Sequence, residues 1–190
     1  MDLTVVRLTA PATATAPGLL LRPWRPQDAP ALAGLGRDDA VRRWTSFPVE
    51  DEASAAGWLR EQADAWEAGE RYAFAVTERQ AGGGEGGLLG HVVLKRPRPG
   101  SGEVGYWTAA PARGRGVASR ALRALTEWAF AAFAAEGLTR LELLHQVDND
   151  ASCRVARACG YGLDAVVPAA PPAYPLDGHL HARAARQDTA

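Results

Sequence analysis

Apolar positions along the chain follow two periods. Some segments are short alternating or continuous β-type runs, others repeat every three to four residues, and the two kinds interleave. Leu19, Leu20 and Leu21, closed by Pro23, predict a strand, and Pro26, Gln27 and Asp28 followed by Ala29, Leu32 and Leu35 predict a helix with one apolar face. Beyond Pro48, Ala55, Trp58, Leu59, Gln62 and Trp66 recur at helical spacing until Gly69. Residues 72–76 and 88–94 predict a hairpin around the glycine-rich segment 82–87, and 104–108 a further strand after a turn over 97–102. A long helix is predicted over 117–135, with Ala118, Leu122, Leu125, Ala129 and Phe133 on one face and Gly137 past its end. A strand over 138–147 follows, then a helix capped by Asp148 or Asn149 that ends at Gly160, and extended segments over 163–167 and 180–184. The order β-α-α-β-β-β-α-β-α-β-β implies a mixed sheet flanked by helices in one α/β domain over 19–190, without internal repeats. Residues 1–18 read as an N-terminal extension outside the core. Val5, Val6 and Leu8 offer it a short strand, and Pro11 and Pro17 bracket a linker.

Composition narrows the function more than the fold. With 190 residues, 47% hydrophobic and 23% charged, the chain fits one globular domain. Lys plus Arg total 21 against 22 acids, a net charge of -1, so no basic field draws the protein to nucleic acid or to an anionic membrane. No apolar run approaches the roughly 20 residues of a membrane span, and the N-terminus lacks the basic end and apolar stretch of a secretory signal. A cytoplasmic location is expected. Cys153 and Cys159 fall on well-separated faces of one predicted helix, which argues against a disulfide or a paired-thiol zinc site. His179 and His181 share a face of the last strand, but without further ligands they do not make a metal site, and no metal is expected.

The chemistry-bearing stretch runs from Gly105 to Ser119. A strand ends, a turn containing Gly114 and Gly116 follows, and a helix begins. Glycine lets backbone amides approach a ligand, and a helix N-terminus leaves such amides unpaired at the positive end of its dipole, so a phosphate fits. Arg113 and Arg115 add charge. The alternative is a plain strand-to-helix turn with two solvent arginines. A P-loop is excluded because Lys95 is the only lysine. A dinucleotide fold is disfavoured, since the loop lies past the midpoint of the chain and too few residues follow for a doubly wound sheet.

These residues resemble the GNAT acyl-CoA-dependent N-acyltransferases, and within them the RimJ/RimL-like branch. Arg113, Gly116 and Ala118 match the family's phosphate signature. Leu20 to Trp24 with Asp28, Glu103 to Trp107, and Asn149 to Ala156 leading to Tyr161 agree in order and spacing, so the likeness covers roughly residues 19–184. The resemblance implies a GNAT fold, a mostly antiparallel sheet splayed at the acyl-CoA site. It implies that Arg113, Gly114, Arg115, Gly116, Val117, Ala118 and Ser119 hold the pyrophosphate of acetyl-CoA, and that its pantetheine pairs with Trp107, Thr108 and Ala109. Asn149 matches the cofactor-contacting asparagine, and can also be an N-cap and nothing more.

Acetyl transfer needs a neutral amine, so a base or water chain must remove a proton. Glu103 leads as base, with His145 second. Many relatives carry a tyrosine general acid at the position held here by Ala156, a departure that leaves the role to another group. Ser152 matches the serine of the RimJ/RimL-like branch and can donate to the sulfur. Seven acids over 50–70 against Arg60 suggest attraction of a cationic acceptor, although charge runs usually coat solvated faces. The partner expected is an amine, either a protein N-terminus or a small molecule. Another acyl-CoA such as succinyl-CoA, or a non-catalytic acyl-CoA sensor, are the alternatives. The apolar stretch 166–174 suggests either a homodimer contact or a wall of the acceptor pocket.

Overall fold

In the computed structural model the described residues are 6–45, 47–172 and 174–186, with the side chains of 96–98 set aside. Eight strands form one sheet: β1 (Leu8–Ala10), β2 (Gly18–Pro23), β3 (Arg71–Arg79), β4 (Glu85–Arg98), β5 (Ser101–Thr108), β6 (Arg140–Gln146), β7 (Gly162–Val167) and β8 (Gly178–Ala184). Their spatial order is β1-β2-β3-β4-β5-β6-β8-β7. Every neighbouring pair is antiparallel except β5 with β6, which are joined through a helix as a parallel pair requires. The expected mixed, mostly antiparallel α/β sheet is therefore present.

The helices are α1 (Ala29–Leu35), α2 (Asp39–Trp44), α3 (Glu52–Glu67), α4 (Val117–Ala132) and α5 (Asp150–Ala158). Strand alternation divides the core into two layers. Phe74, Val92, Leu94 and Val104 face Leu122, Leu125 and Ala129 of α4, whereas Ala73, Ala75, Val93 and Trp107 face Leu32, Val41 and Leu59 of α1 to α3. On α4 the expected Leu122, Leu125 and Ala129 are buried, with Phe133 just past the helix end, but Ala118 is only partly buried and Val117 and Ala121 complete the stripe in its place.

Several expectations change. The N-terminal extension is not outside the core, because β1 pairs with β2 and Ala10 is buried; Val5 lies outside the described residues. The Arg120 guanidinium donates to the carbonyls of Pro11 (2.6 Å) and Pro17 (2.7 Å), fastening the proline-bracketed linker to α4. Helix α2 has no counterpart in the sequence reading. It has six residues and one buried position, too short for a period to emerge, and it exists because the Asp38 side chain accepts from the Ala40 and Val41 amides. β5 begins at Ser101 rather than 104. The turn before it is tight, with Gly100 at φ +76, so the strand reaches far enough back to pair with β6. α4 ends at Ala132, and a separate 3-10 turn, Ala134–Glu136, takes up the rest of the expected helix.

Arg22, 4% exposed, ties the front of the sheet together. It donates to both oxygens of Asp28 (2.7 and 2.8 Å) in the turn before α1 and to Glu85 on β4. The Arg22 hydrogen bonds hold Glu85 below the usual carboxylate range, against a smaller opposing effect of burial. A depressed folded pKa adds stability above the unfolded value of about 4.3 that is lost as pH falls through the folded value. Arg22→Met leaves Asp28 without its cation and Glu85 with only Arg25 at 3.5 Å, and should lower the unfolding free energy by about 3 kcal/mol in urea titrations at pH 7. An unchanged midpoint would contradict this role.

Candidate active site

β5 and β6 pair at only three positions, Ser101 with Arg140, Gly102 with Leu141 and Glu103 with Glu142. Beyond these, β5 continues beside β4 to Thr108 and β6 continues beside β8 to Gln146, so the strands part. The Ala109 N–H donates to the Leu89 carbonyl (2.9 Å). Antiparallel pairing alternates from that bond, so Trp107 and Ala109 direct their backbone groups to β4, while Tyr106 and Thr108 direct theirs into the gap. Of the three residues expected to line an acyl carrier, only Thr108 offers its backbone, and Tyr106 joins it. β4 lies close here because residue 90 is glycine: a Cβ on it would come within 2.5 Å of the Trp107 carbonyl oxygen.

Past β5 the chain turns through Ala110–Ala112 into the glycine loop. Gly114 (φ +73) and Gly116 (φ +68) adopt left-handed conformations that side chains disfavour. Gly116 is the N-cap of α4 and supplies no side-chain cap, and the first intrahelical bond runs from Arg120 N–H to its carbonyl (3.1 Å). The amides of Val117, Ala118 and Ser119 therefore have no intrahelical acceptor and lie at the positive end of a sixteen-residue helix. The side chains of the loop are committed elsewhere. Arg113 pairs with Asp38, and Arg115 lies 3.7 Å from Glu78. Burial alone would raise the Asp38 pKa, but Arg113 and the Ala40 and Val41 amides outweigh it and hold it low. The part of the loop free to receive an anion is thus its backbone, and the two arginines stand beside it on carboxylates.

The gap opens onto a cavity of about 710 Å³. Its aromatic wall is Phe47, Trp58 and Trp107, and His91 stacks on Trp107 with ring centres 5.4 Å apart. His91 accepts from the Trp24 indole N–H (3.1 Å), and burial first, then Arg71 and Lys95, push its pKa down to about 3, so it stays neutral. Glu103 lines the cavity, 41% exposed along its side chain, and accepts from Lys95 at 2.6 Å. Its second oxygen has no hydrogen-bond partner among the described residues. None of the seven acids over 50–70 lines this cavity. All are exposed, and α3 contributes Trp58 and Gln62 instead, so the expected electrostatic attraction of a cation by this helix has no geometric support. Residues 167, 168, 170 and 174 border the cavity, which favours the pocket-wall reading of the apolar stretch.

On the opposite wall, Asn149 caps α5 by accepting from the Ser152 N–H (3.1 Å). The Tyr106 hydroxyl donates to Ser152 Oγ (3.1 Å), which leaves the Ser152 proton free to point into the cavity. Burial pushes the Tyr106 pKa up to about 12, so this donor remains protonated. Tyr106 was missed in the sequence, where it reads as one more strand aromatic; the empty acid position at Ala156 was the only hint that a hydroxyl must come from elsewhere. His145 does not suit the base role. Its Nδ1 lies 2.8 Å from the Gln146 carbonyl oxygen, and its Nε2 is buried.

Residues 18–162 match the acetyltransferase (GNAT) domain family, and the chain belongs to that family. It is accordingly an acyl-CoA-dependent N-acyltransferase. A GNAT-family acetyltransferase from Bacillus anthracis has the same fold at a TM-score of 0.77 and 20% identity, over 94% of this chain and 98% of that one. A RimL ribosomal α-N-protein acetyltransferase in complex with coenzyme A is similar at 0.76 and 22% identity, over 93% and 97% of the two chains. Mycobacterium smegmatis RimJ in complex with a CoA-disulfide gives 0.76 and 20%, over 97% and 88%. No curated protein sequence matches the chain significantly.

Tyr106→Phe should lower kcat about tenfold with little change in KM for the acyl carrier, because it removes a donor to Ser152 and leaves the backbone of β5 in place. Since Tyr106 titrates near 12, the pH profile below pH 9 should keep its shape. A changed KM with unchanged kcat in steady-state assays would assign Tyr106 to binding alone.

Proposed function

We propose that the protein transfers an acetyl group from acetyl-CoA directly to a primary amine, with an α-amine such as a protein N-terminus as the acceptor. The observation that carries this reading is the parting of β5 and β6, which exposes unpaired backbone groups beside a cavity holding Glu103 and Ser152. The pyrophosphate rests on the amides of Val117 to Ser119, with Gly114 and Gly116 giving close approach, and the pantetheine extends along β5. A backbone N–H facing the gap, at Tyr106 or Thr108, polarises the thioester carbonyl and stabilises the oxyanion. Glu103 accepts the amine proton, directly or through one water. The nitrogen attacks the carbonyl carbon, the C–N bond forms and the C–S bond breaks. The departing thiolate accepts a hydrogen bond from Ser152, which Tyr106 supports, and Asn149 borders the carrier.

The choice of acceptor follows from the amine. Glu103 is half-exposed and holds Lys95 at 2.6 Å. An α-amine, with pKa about 7.7–8.0, is already roughly 10% neutral at pH 7, whereas a lysine-like amine near 10.4 is neutral in less than about 0.1% of molecules. The α-amine thus reaches its attacking, neutral form with less help from any base, which favours it as the acceptor. The described residues contain no helix long and apolar enough to cross a membrane, and a cytoplasmic enzyme without a nucleic-acid partner fits the near-neutral charge. A homodimer contact, the other reading of the stretch 166–174, would use Val166, exposed on the edge strand β7.

Thiol release from acetyl-CoA and from succinyl-CoA should be measured with a peptide bearing a free α-amine and with its N-acetylated form containing lysine. Turnover with acetyl-CoA and the free α-amine, at least tenfold above the blocked peptide, is expected. Preference for succinyl-CoA would replace the acyl group. Tight carrier binding without thiol release from any amine would support the sensor alternative instead.

A further inference from the structure

Next to the cavity, whose lining includes His145, three elements carry four metal-ligating side chains to one point. His145 lies near the end of β6, His179 and His181 alternate on β8, and Cys153 is in the first turns of α5. The β6–β8 register sets His145 opposite His179, so the three imidazoles share one sheet face, and α5 brings Cys153 onto that face. The ligating atoms of all four residues lie within 4.8 Å of one another. Cys153 Sγ is 3.3 Å from His179 Nδ1 and 3.7 Å from His181 Nε2. A tetrahedral zinc ion with Zn–S near 2.3 Å and Zn–N near 2.05 Å has S···N edges of about 3.6 Å, which these two distances bracket.

The hydrogen bonds around the cluster turn lone pairs toward its centre. A carbonyl oxygen can only accept, so the contacts from His145 Nδ1 to Gln146 O (2.8 Å) and from His181 Nδ1 to Tyr161 O (3.3 Å) place the protons on Nδ1. Each ring is left with an Nε2 lone pair. That of His181, a fully buried residue, faces the thiol, and that of His145 is buried with no partner among the described residues. A backbone carbonyl fixing the far nitrogen of each imidazole is the arrangement that orients metal-ligating histidines. The donor set of one sulfur and three nitrogens suits zinc and does not suit magnesium or calcium.

We propose that His145, Cys153, His179 and His181 form a closed, four-coordinate zinc site that fastens α5 to β6 and β8. Binding converts the Cys153 thiol to thiolate, its proton passing to solvent, and forms one Zn–S and three Zn–N bonds. Four protein ligands leave no position for water or substrate, so the ion holds structure rather than performing the acyl transfer. What it holds is the wall carrying Asn149 and Ser152, one residue from the thiolate ligand. The sequence offered only His179 and His181 on one strand; His145 and Cys153 are the further ligands, and their spacing along the chain forms no motif.

The test uses the full chain, freed of metal with a chelator and then titrated with zinc or cobalt(II) salts, and is read by metal analysis and absorption rather than turnover. One zinc per chain is expected, and the cobalt form should show intense tetrahedral ligand-field bands with a thiolate-to-cobalt charge-transfer band. Cys153→Ser should abolish the charge-transfer band, and His179→Asn should weaken zinc binding at least about tenfold while keeping it. Circular dichroism identifies any variant that fails to fold, in which case the other carries the test. No zinc bound, an octahedral cobalt spectrum, or unchanged affinity in the folded variants would overturn the site.

Discussion

The structure depends on a sheet that is allowed to come apart. Backbone N–H and C=O groups inside a protein are nearly always paired, and β5 and β6 abandon each other after three positions. Each strand keeps its other neighbour, so neither is lost from the sheet. What remains is an edge inside the molecule, with unpaired groups at Tyr106 and Thr108 where an extended ligand can complete the ladder.

The rest of the fold holds that opening at fixed width. α4 packs under β1, β2, β4 and β5 through one apolar stripe, and its buried Thr126 shares a hydrogen bond of 2.6 Å with Tyr161, between α5 and β7. The same helix begins at the glycine loop, so the element that braces both halves of the sheet also aims its free amides at the site. On the other layer, Trp24, Trp58 and Trp107 surround neutral His91, and the cavity wall is set by ring packing more than by charge. The Glu103 carboxylate then stands on one side of the cavity and the Tyr106-supported Ser152 hydroxyl on the other.

Much of this was legible in the chain. The period of α4, the glycine positions at 114 and 116 and the strand–turn–helix order are local properties, and local properties show in a sequence. The parts that were not legible depend on contacts between distant segments. Helix α2 owes its existence to a cap at Asp38 whose carboxylate also takes Arg113, 75 positions away, so an arginine expected on phosphate rests on a carboxylate. The acids of α3 read as a substrate field until packing turned Trp58 and Gln62 inward and left every carboxylate in solvent. Tyr106 and Ser152 are 46 positions apart, and the register that joins them exists only after β5 and β6 part.

Backbone amide hydrogen exchange of the protein with and without coenzyme A tests the central claim most directly, because it reads the groups the parted strands leave unpaired. Slowed exchange at Tyr106, Thr108 and the amides of 117–119, with β1 and β2 unchanged, is the result this account requires. Tight binding with protection confined to other segments, and none in the gap or at the start of α4, would contradict it.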